Sequence, residues 1–162
     1  MTLEPLLSAP LAVQLHVATV LPAAVLGAYL LARPKGTPRH RFLGRIWMVL
    51  MVLTSLSSFF IHTIRLAGPF SPIHLLSLMT LAGCVQAIRA ARRGDIRAHR
   101  RAVTWMYAGG IGVAGLFTML PGRIMHAVVF EGSSTLALAA ALAFLLVLSL
   151  ATMRMRPLKT GG

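Results

Sequence analysis

The sequence predicts an all-α integral membrane protein of five transmembrane helices: a four-helix bundle made from a duplicated hairpin, plus one extra helix. Three observations lead there. Of 162 residues, 57% are hydrophobic and only 12% charged, about half the charged share of a soluble domain. The apolar residues fall into five runs of the ~20 residues that cross ~30 Å of hydrocarbon. Fourteen of the sixteen basic residues lie in three clusters between or after those runs: Arg33 to Arg45, Arg89 to Arg101, and Arg154 to Lys159. Only Arg65 and Arg123 lie elsewhere.

The first run covers 9–31, with Pro10 in the opening turn, where proline is tolerated. Glu4 and no Lys or Arg precede it, so it lacks the charged start of a signal peptide. It is expected to stay in the membrane with its amino end outside. The second run covers 46–66 and the third 73–91; the short link between them makes a tight antiparallel hairpin. The fourth covers 102–120 and stops at Pro121-Gly122. The fifth, 136–153, is rich in Ala and Leu and has no ionisable group before Met153, which suits packing or lipid contact. Positive-inside charge places every basic cluster and the carboxyl end on the cytoplasmic side. No linker divides the chain, so 1–162 reads as one transmembrane domain. The net charge of +13 then points to anionic lipid headgroups as partners, not nucleic acid. Cys84 lies within an apolar run and reads as a buried packing residue.

An internal repeat is visible. A shift of 58 positions lays His16 on His74, Ala24 on Ala82, Ala32 on Ala90, Gly36 on Gly94, Arg39 on Arg97, and Trp47-Met48 on Trp105-Met106. A one-residue slip also brings His40-Arg41 onto His99-Arg100. Two hairpins related in this way form an up-down-up-down bundle in which the first and third helices are diagonal.

The repeat directs attention to the histidines. At 1.5 Å per residue, His16 and His74 each lie roughly 24 Å from the basic end of their helices, and His62 roughly 22 Å. The three share one layer, and His126 follows the fourth helix closely enough to join it. Ser55, Ser58, His62 and Arg65 form a polar stripe at helical spacing on the second helix, and such a stripe turns inward in lipid. Three readings follow. His16, His62 and His74 suit the axial ligation of haem b, with His16 and His74 facing each other across the core and Arg65 and Arg123 holding propionates by charge-assisted bonds. His16, His62, His74 and His126 suit Zn or Cu. Alternatively the layer is an interhelical polar network. The glycines at 109, 110, 112 and 115 in the fourth run have two uses, room for a bulky planar group or, more plainly, close helix packing.

Several chemistries are disfavoured. The only acids are Glu4, Asp95 and Glu131, all outside the five runs, whereas proton and cation pathways use buried carboxylates. No phosphate loop, zinc-protease helix or nucleophile–base motif is present. Asp95, within Arg93-Gly94-Asp95, suits a helix cap or a pairing with neighbouring Arg.

As a set, the stretches His40-Arg41-Phe42-Leu43-Gly44-Arg45-Ile46-Trp47 and Phe70-Ser71-Pro72-Ile73-His74-Leu75-Leu76-Ser77, with Arg93-Gly94-Asp95-Ile96, His99-Arg100 and Leu120-Pro121-Gly122-Arg123, resemble the DUF2306 family of predicted bacterial membrane proteins. The resemblance spans the second to fourth helices. It implies a multi-helix fold in a bacterial inner membrane and no defined activity. In architecture, the layered histidines are similar to cytochrome b561-type bundles, which carry two bis-histidine haems and pass electrons across the membrane. That likeness implies an electron-transfer protein with a quinone or another redox protein as partner. The rival expectation is a non-catalytic membrane scaffold or assembly factor.

Overall fold

The computed structural model describes residues 3–61, 72–120 and 122–130, and all regular structure among them is helical. Helix α1 (Glu4–Leu7) is a single turn. It is followed by α2 (Leu11–Ala32), α3 (Pro38–Ser58), α4 (Pro72–Arg92) and α5 (Ile96–Met106). The last of these continues without a break through a π-helical segment, Tyr107–Val113, into α6 (Ala114–Thr118). A further short helix, α7 (Ile124–Phe130), follows Gly122 and Arg123. The expected fifth span, 136–153, lies outside the described residues, as do His62 and Arg65.

Among the described residues two helices are long and apolar enough to cross a membrane, Leu11–Ala32 and His74–Arg92. They match the expected first and third spans. The other two differ from expectation at their starts. Helix α3 begins at Pro38, not 46, so Arg39, Arg41 and Arg45 occupy its first turns. Helix α5 begins at Ile96, not 102, and the fourth run is divided by the π-helical segment. Side-chain caps explain both early starts. The Thr37 hydroxyl accepts from the His40 N–H at 3.1 Å, and the Asp95 carboxylate accepts from the Ala98 N–H at 2.9 Å. Each satisfies one of the donors orphaned at a helix start. Immediately before each cap stands a glycine in left-handed conformation, Gly36 at φ 81° and Gly94 at φ 74°. Only glycine adopts that conformation without a Cβ penalty. Gly36-Thr37 and Gly94-Asp95 are related by the same 58-residue shift, so the repeat extends to the turn geometry. Replacing either cap by Ala is expected to cost about 1 kcal/mol in denaturant unfolding.

The helices form a closed ring. Helix α2 packs on α3, α3 on α4, and α4 on α5. The π-helical segment then meets α2: the Tyr107 hydroxyl donates to the Ala24 carbonyl at 3.0 Å. A π turn is wider than an α turn and displaces the residues that follow it. Here it lets Gly110 approach α4 and α3 closely. A Cβ at Gly110 would lie 3.0 Å from Thr80 Oγ1 and 3.3 Å from Met51 Cε. Close packing, the plainer of the two uses for the glycine series, holds at Gly110. Gly115 has nothing within 4 Å of that point.

The distribution of residues is inside-out relative to a soluble bundle. Buried positions include Ala23, Ala87, Ala90, Thr54, Ser55, Ser58, Ser77 and Thr80, whereas Leu15, Leu21, Val25, Val49, Leu53, Leu75 and Leu78 are exposed. Small and polar residues at helix contacts with large aliphatics outside is the pattern lipid selects. Among the described residues two large side chains are fully enclosed, Trp47 and Met51. Trp47 is fixed by its indole N–H, which donates to the Ala23 carbonyl at 2.9 Å. Cys84 is a free, buried thiol in the same core, as its apolar setting implies.

The two halves of the repeat do not pack alike. Trp47 is 1% exposed and Trp105 is 72% exposed. In the second hairpin Met106, not Trp105, points inward and presses on Gly83. This is the one-residue slip that aligns His40 with His99. A single residue turns a helix by about 100°, enough to exchange an inward for an outward face.

Candidate functional site

The described part of the histidine layer centres on α3, which presents one polar face to α2 and another to α4. Toward α2 stand Thr54 and Ser57. The His16 Nδ1 lies 3.0 Å from the Thr54 carbonyl oxygen and 3.1 Å from Ser57 Oγ. A carbonyl cannot donate, so His16 Nδ1 carries the proton. Ser57 in turn donates to the Thr54 carbonyl at 2.9 Å, leaving its oxygen to accept from His16. The neutral ring is therefore the Nδ1–H tautomer, with the lone pair on Nε2. One turn further along, Thr54 Oγ1 donates to Thr19 Oγ1 at 2.9 Å. The Thr19 hydroxyl points back to the carbonyls of Leu15 and His16. Together these bonds join α2 to α3 at the level of His16.

Toward α4 stand Ser55, Ser58 and Phe59. Ser58 donates to the Ser55 carbonyl at 2.7 Å and its oxygen meets the Ser77 hydroxyl, so Ser77 is the donor between them. His74, one turn before Ser77, is buried. Its ring is stacked on Phe59, with centroids 5.7 Å apart and planes within 5°. Thr54 and Ser57 lie on one side of α3, and Ser55, Ser58 and Phe59 about a third of a turn away. His16 and His74 thus engage neighbouring faces of the same helix.

The remaining site candidates fall elsewhere. His126 lies on α7 and is buried; α7 packs against α1 and α6. Arg123 places its guanidinium over the Phe117 ring, 4.6 Å from the centroid, a cation–π contact. Among the described residues no group of three or more His, Cys, Asp or Glu lies within reach of one metal ion. Helices α1 and α7 were not anticipated. The run Ile124–Phe130 is too short to span, and the only signal for it was the Pro121-Gly122 break, where Gly122 takes φ 81°.

At the basic end, His40 and His99 sit in the first turns of α3 and α5. They are used differently. His99 Nδ1 donates to the Ala87 carbonyl at 2.9 Å, tying α5 to α4. His40 makes no equivalent bond: its Nδ1 is enclosed and has no hydrogen-bond partner. Partial burial, then the nearby His99 and Lys35 charges, hold His40 below the usual imidazole pKa.

A family model described as a predicted membrane protein, DUF2306, matches residues 13–155. The chain has no significant match among curated proteins or solved structures. With most of its length matched, the chain belongs to the DUF2306 family of predicted membrane proteins.

Proposed function

We propose that this DUF2306 protein is a non-catalytic membrane scaffold whose histidine layer is an interhelical polar network. One observation carries the reading: the protonated nitrogen of His16 is engaged by the backbone and side chain of α3, at Thr54 and Ser57. Polar side chains between helices in lipid act as glue, each worth about 1 kcal/mol. The Ser58–Ser77 contact plays the same part between α3 and α4. In this role the protein holds a fixed arrangement of helices to which other membrane components attach. The purified, detergent-solubilised protein is then colourless and free of stoichiometric Zn or Cu, and His16→Ala lowers its unfolding free energy by about 1–2 kcal/mol. A double-mutant cycle between His16→Ala and Ser57→Ala then shows coupling.

A second reading is favoured by a different feature of the same ring. Histidines that bind metals commonly donate the other ring nitrogen to a carbonyl, which fixes the tautomer and raises ligand basicity. His16, with Nδ1–H on the Thr54 carbonyl, presents Nε2 in the form that binds haem iron, Zn or Cu. Together with His74, it would hold a haem b, which would supply one-electron chemistry for exchange with a quinone or another redox protein. A redox-responsive visible band that disappears in both His16→Ala and His74→Ala establishes this reading and overturns the scaffold.

A further inference from the structure

The basic end holds a cavity that neither reading uses. It has a volume of about 290 Å³ and lies where α2 ends and α3 begins, lined by Tyr29, Leu30, Arg33, Pro34, Thr37, Arg39 and His40. Three of these seven, Arg33, Arg39 and His40, carry or can carry positive charge. Among the described residues neither acid, Glu4 nor Asp95, lines it. The positive charge on its wall is therefore unneutralised by the cavity itself.

The details favour a phosphate oxyanion. Arg33 lies over the Tyr29 ring, its Cζ 5.5 Å from the centroid, which holds the planar guanidinium at the rim. Guanidinium forks match phosphate geometry bidentately. Lys35 is differently engaged: its ammonium donates to the Leu31 carbonyl at 2.7 Å and closes the end of α2. That division leaves Arg33 and Arg39 as the cationic groups of the wall. The enclosed His40 Nδ1 without a partner adds an unmet hydrogen-bonding atom, and α3 contributes the positive end of its dipole.

The repeat supplies an internal comparison. In the second hairpin the matching imidazole, His99, reaches back to the carbonyl of Ala87. In the first, His40 does not, and a cavity lies beside it. The two basic turns share a glycine-and-cap geometry but differ in how their histidine is engaged.

Position selects the source of the phosphate. The cavity adjoins the last turn of Leu11–Ala32, a helix able to cross a membrane. Its wall combines the aliphatic Leu30 and the amphipathic Tyr29, the residue types found where hydrocarbon meets headgroups. We propose that this cavity is a binding site for the phosphate of an anionic phospholipid headgroup, held by Arg33 and Arg39 between α2 and α3.

The test is native mass spectrometry of the full chain in neutral detergent, titrated with short-chain phosphatidylglycerol, phosphatidylcholine and inorganic phosphate. One phosphatidylglycerol is expected to be retained preferentially over phosphatidylcholine. Arg33→Ala/Arg39→Ala is expected to weaken it about tenfold or more, the effect of losing the equivalent of one strong charge-assisted contact. Arg33→Lys/Arg39→Lys keeps the charge and loses the planar forks, so its affinity falls between; it also serves if the alanine pair folds poorly. Arg100→Ala/Arg101→Ala, which removes equal charge from the other basic turn, is expected to leave retention unchanged. Equal weakening by both alanine pairs would mean diffuse surface attraction and overturn the site. Equal retention of phosphatidylcholine, or displacement of the lipid by inorganic phosphate, would overturn its assignment to an anionic phospholipid.

Discussion

Trp47→Ala is expected to destabilise the bundle by about 3–5 kcal/mol, the usual cost of emptying a fully buried aromatic site, whereas Trp105→Ala changes stability by less than about 0.5 kcal/mol. The two residues correspond in the repeat, and their local sequences share Trp-Met. Their environments are opposite. Trp47 is 1% exposed, bonded through its indole to Ala23, and part of a core that includes Met51, Cys84 and Met106. Trp105 is 72% exposed, so its removal leaves no internal void. Thermal or denaturant unfolding in one detergent, on both variants, checks the contrast. Similar losses for both would show that the repeat preserves packing as well as sequence, against the one-residue slip described above. Trp47→Phe removes the hydrogen bond and part of the ring but keeps a buried aromatic, and is expected to cost less than Trp47→Ala.

The second large effect concerns a position without a side chain. A Cβ on Gly27 would lie 2.6 Å from Trp47 Nε1 and 2.6 Å from two atoms of the Tyr107 ring. Neither ring can yield easily. Trp47 is pinned by the Ala23 carbonyl and Tyr107 by the Ala24 carbonyl, both on α2 itself. Gly27→Ala is therefore expected to cost about 2–3 kcal/mol, despite the gain of up to about 1 kcal/mol in helix propensity. Gly83 provides the control. Its added Cβ would meet Met106 at 2.6 Å from Cγ and 2.8 Å from Sδ. Methionine is unbranched and flexible and can swing aside, so Gly83→Ala is expected to stay within about 1 kcal/mol of the parent. Gly115→Ala, with open space around it, is expected to stabilise by up to about 1 kcal/mol. Unfolding midpoints for the three variants give the ordering directly. A Gly27→Ala protein as stable as the parent would mean that α2 does not approach the two rings as closely as the bundle requires.

Both effects trace to the same join, where α2 is gripped by an indole from α3 and a phenol from the π-helical segment. Nothing in the local sequence marks that join. The series of glycines in the fourth run signalled close approach but not which one makes it. Gly110 does, at Thr80 and Met51, while Gly109 lies at ordinary contact distance from Leu76 and Gly115 touches nothing. Spacing identifies small residues, but the wide π turn decides which of them meets a neighbour.

The histidine layer divides in the same way. Equal depth for His16 and His74 follows from counting residues along a helix, and the polar stripe on α3 from helical periodicity. That His16 engages one face of α3 and His74 stacks on Phe59 at another does not follow from counting. The rotation of each helix about its own axis sets it, and that rotation is a compromise among all neighbours.

Composition and periodicity alone determined a membrane-associated, all-helical chain with basic turns, an internal repeat and a candidate cap at Asp95, because these depend on residues close in sequence and on the solvent they must face. Tertiary structure decided which tryptophan is enclosed, which nitrogen of His16 holds its proton, how Tyr107 closes the ring, and where two arginines line a cavity. Each of those is fixed by contacts between helices far apart in the chain, and a turn of about 100° per residue makes every such contact sensitive to a slip of one position.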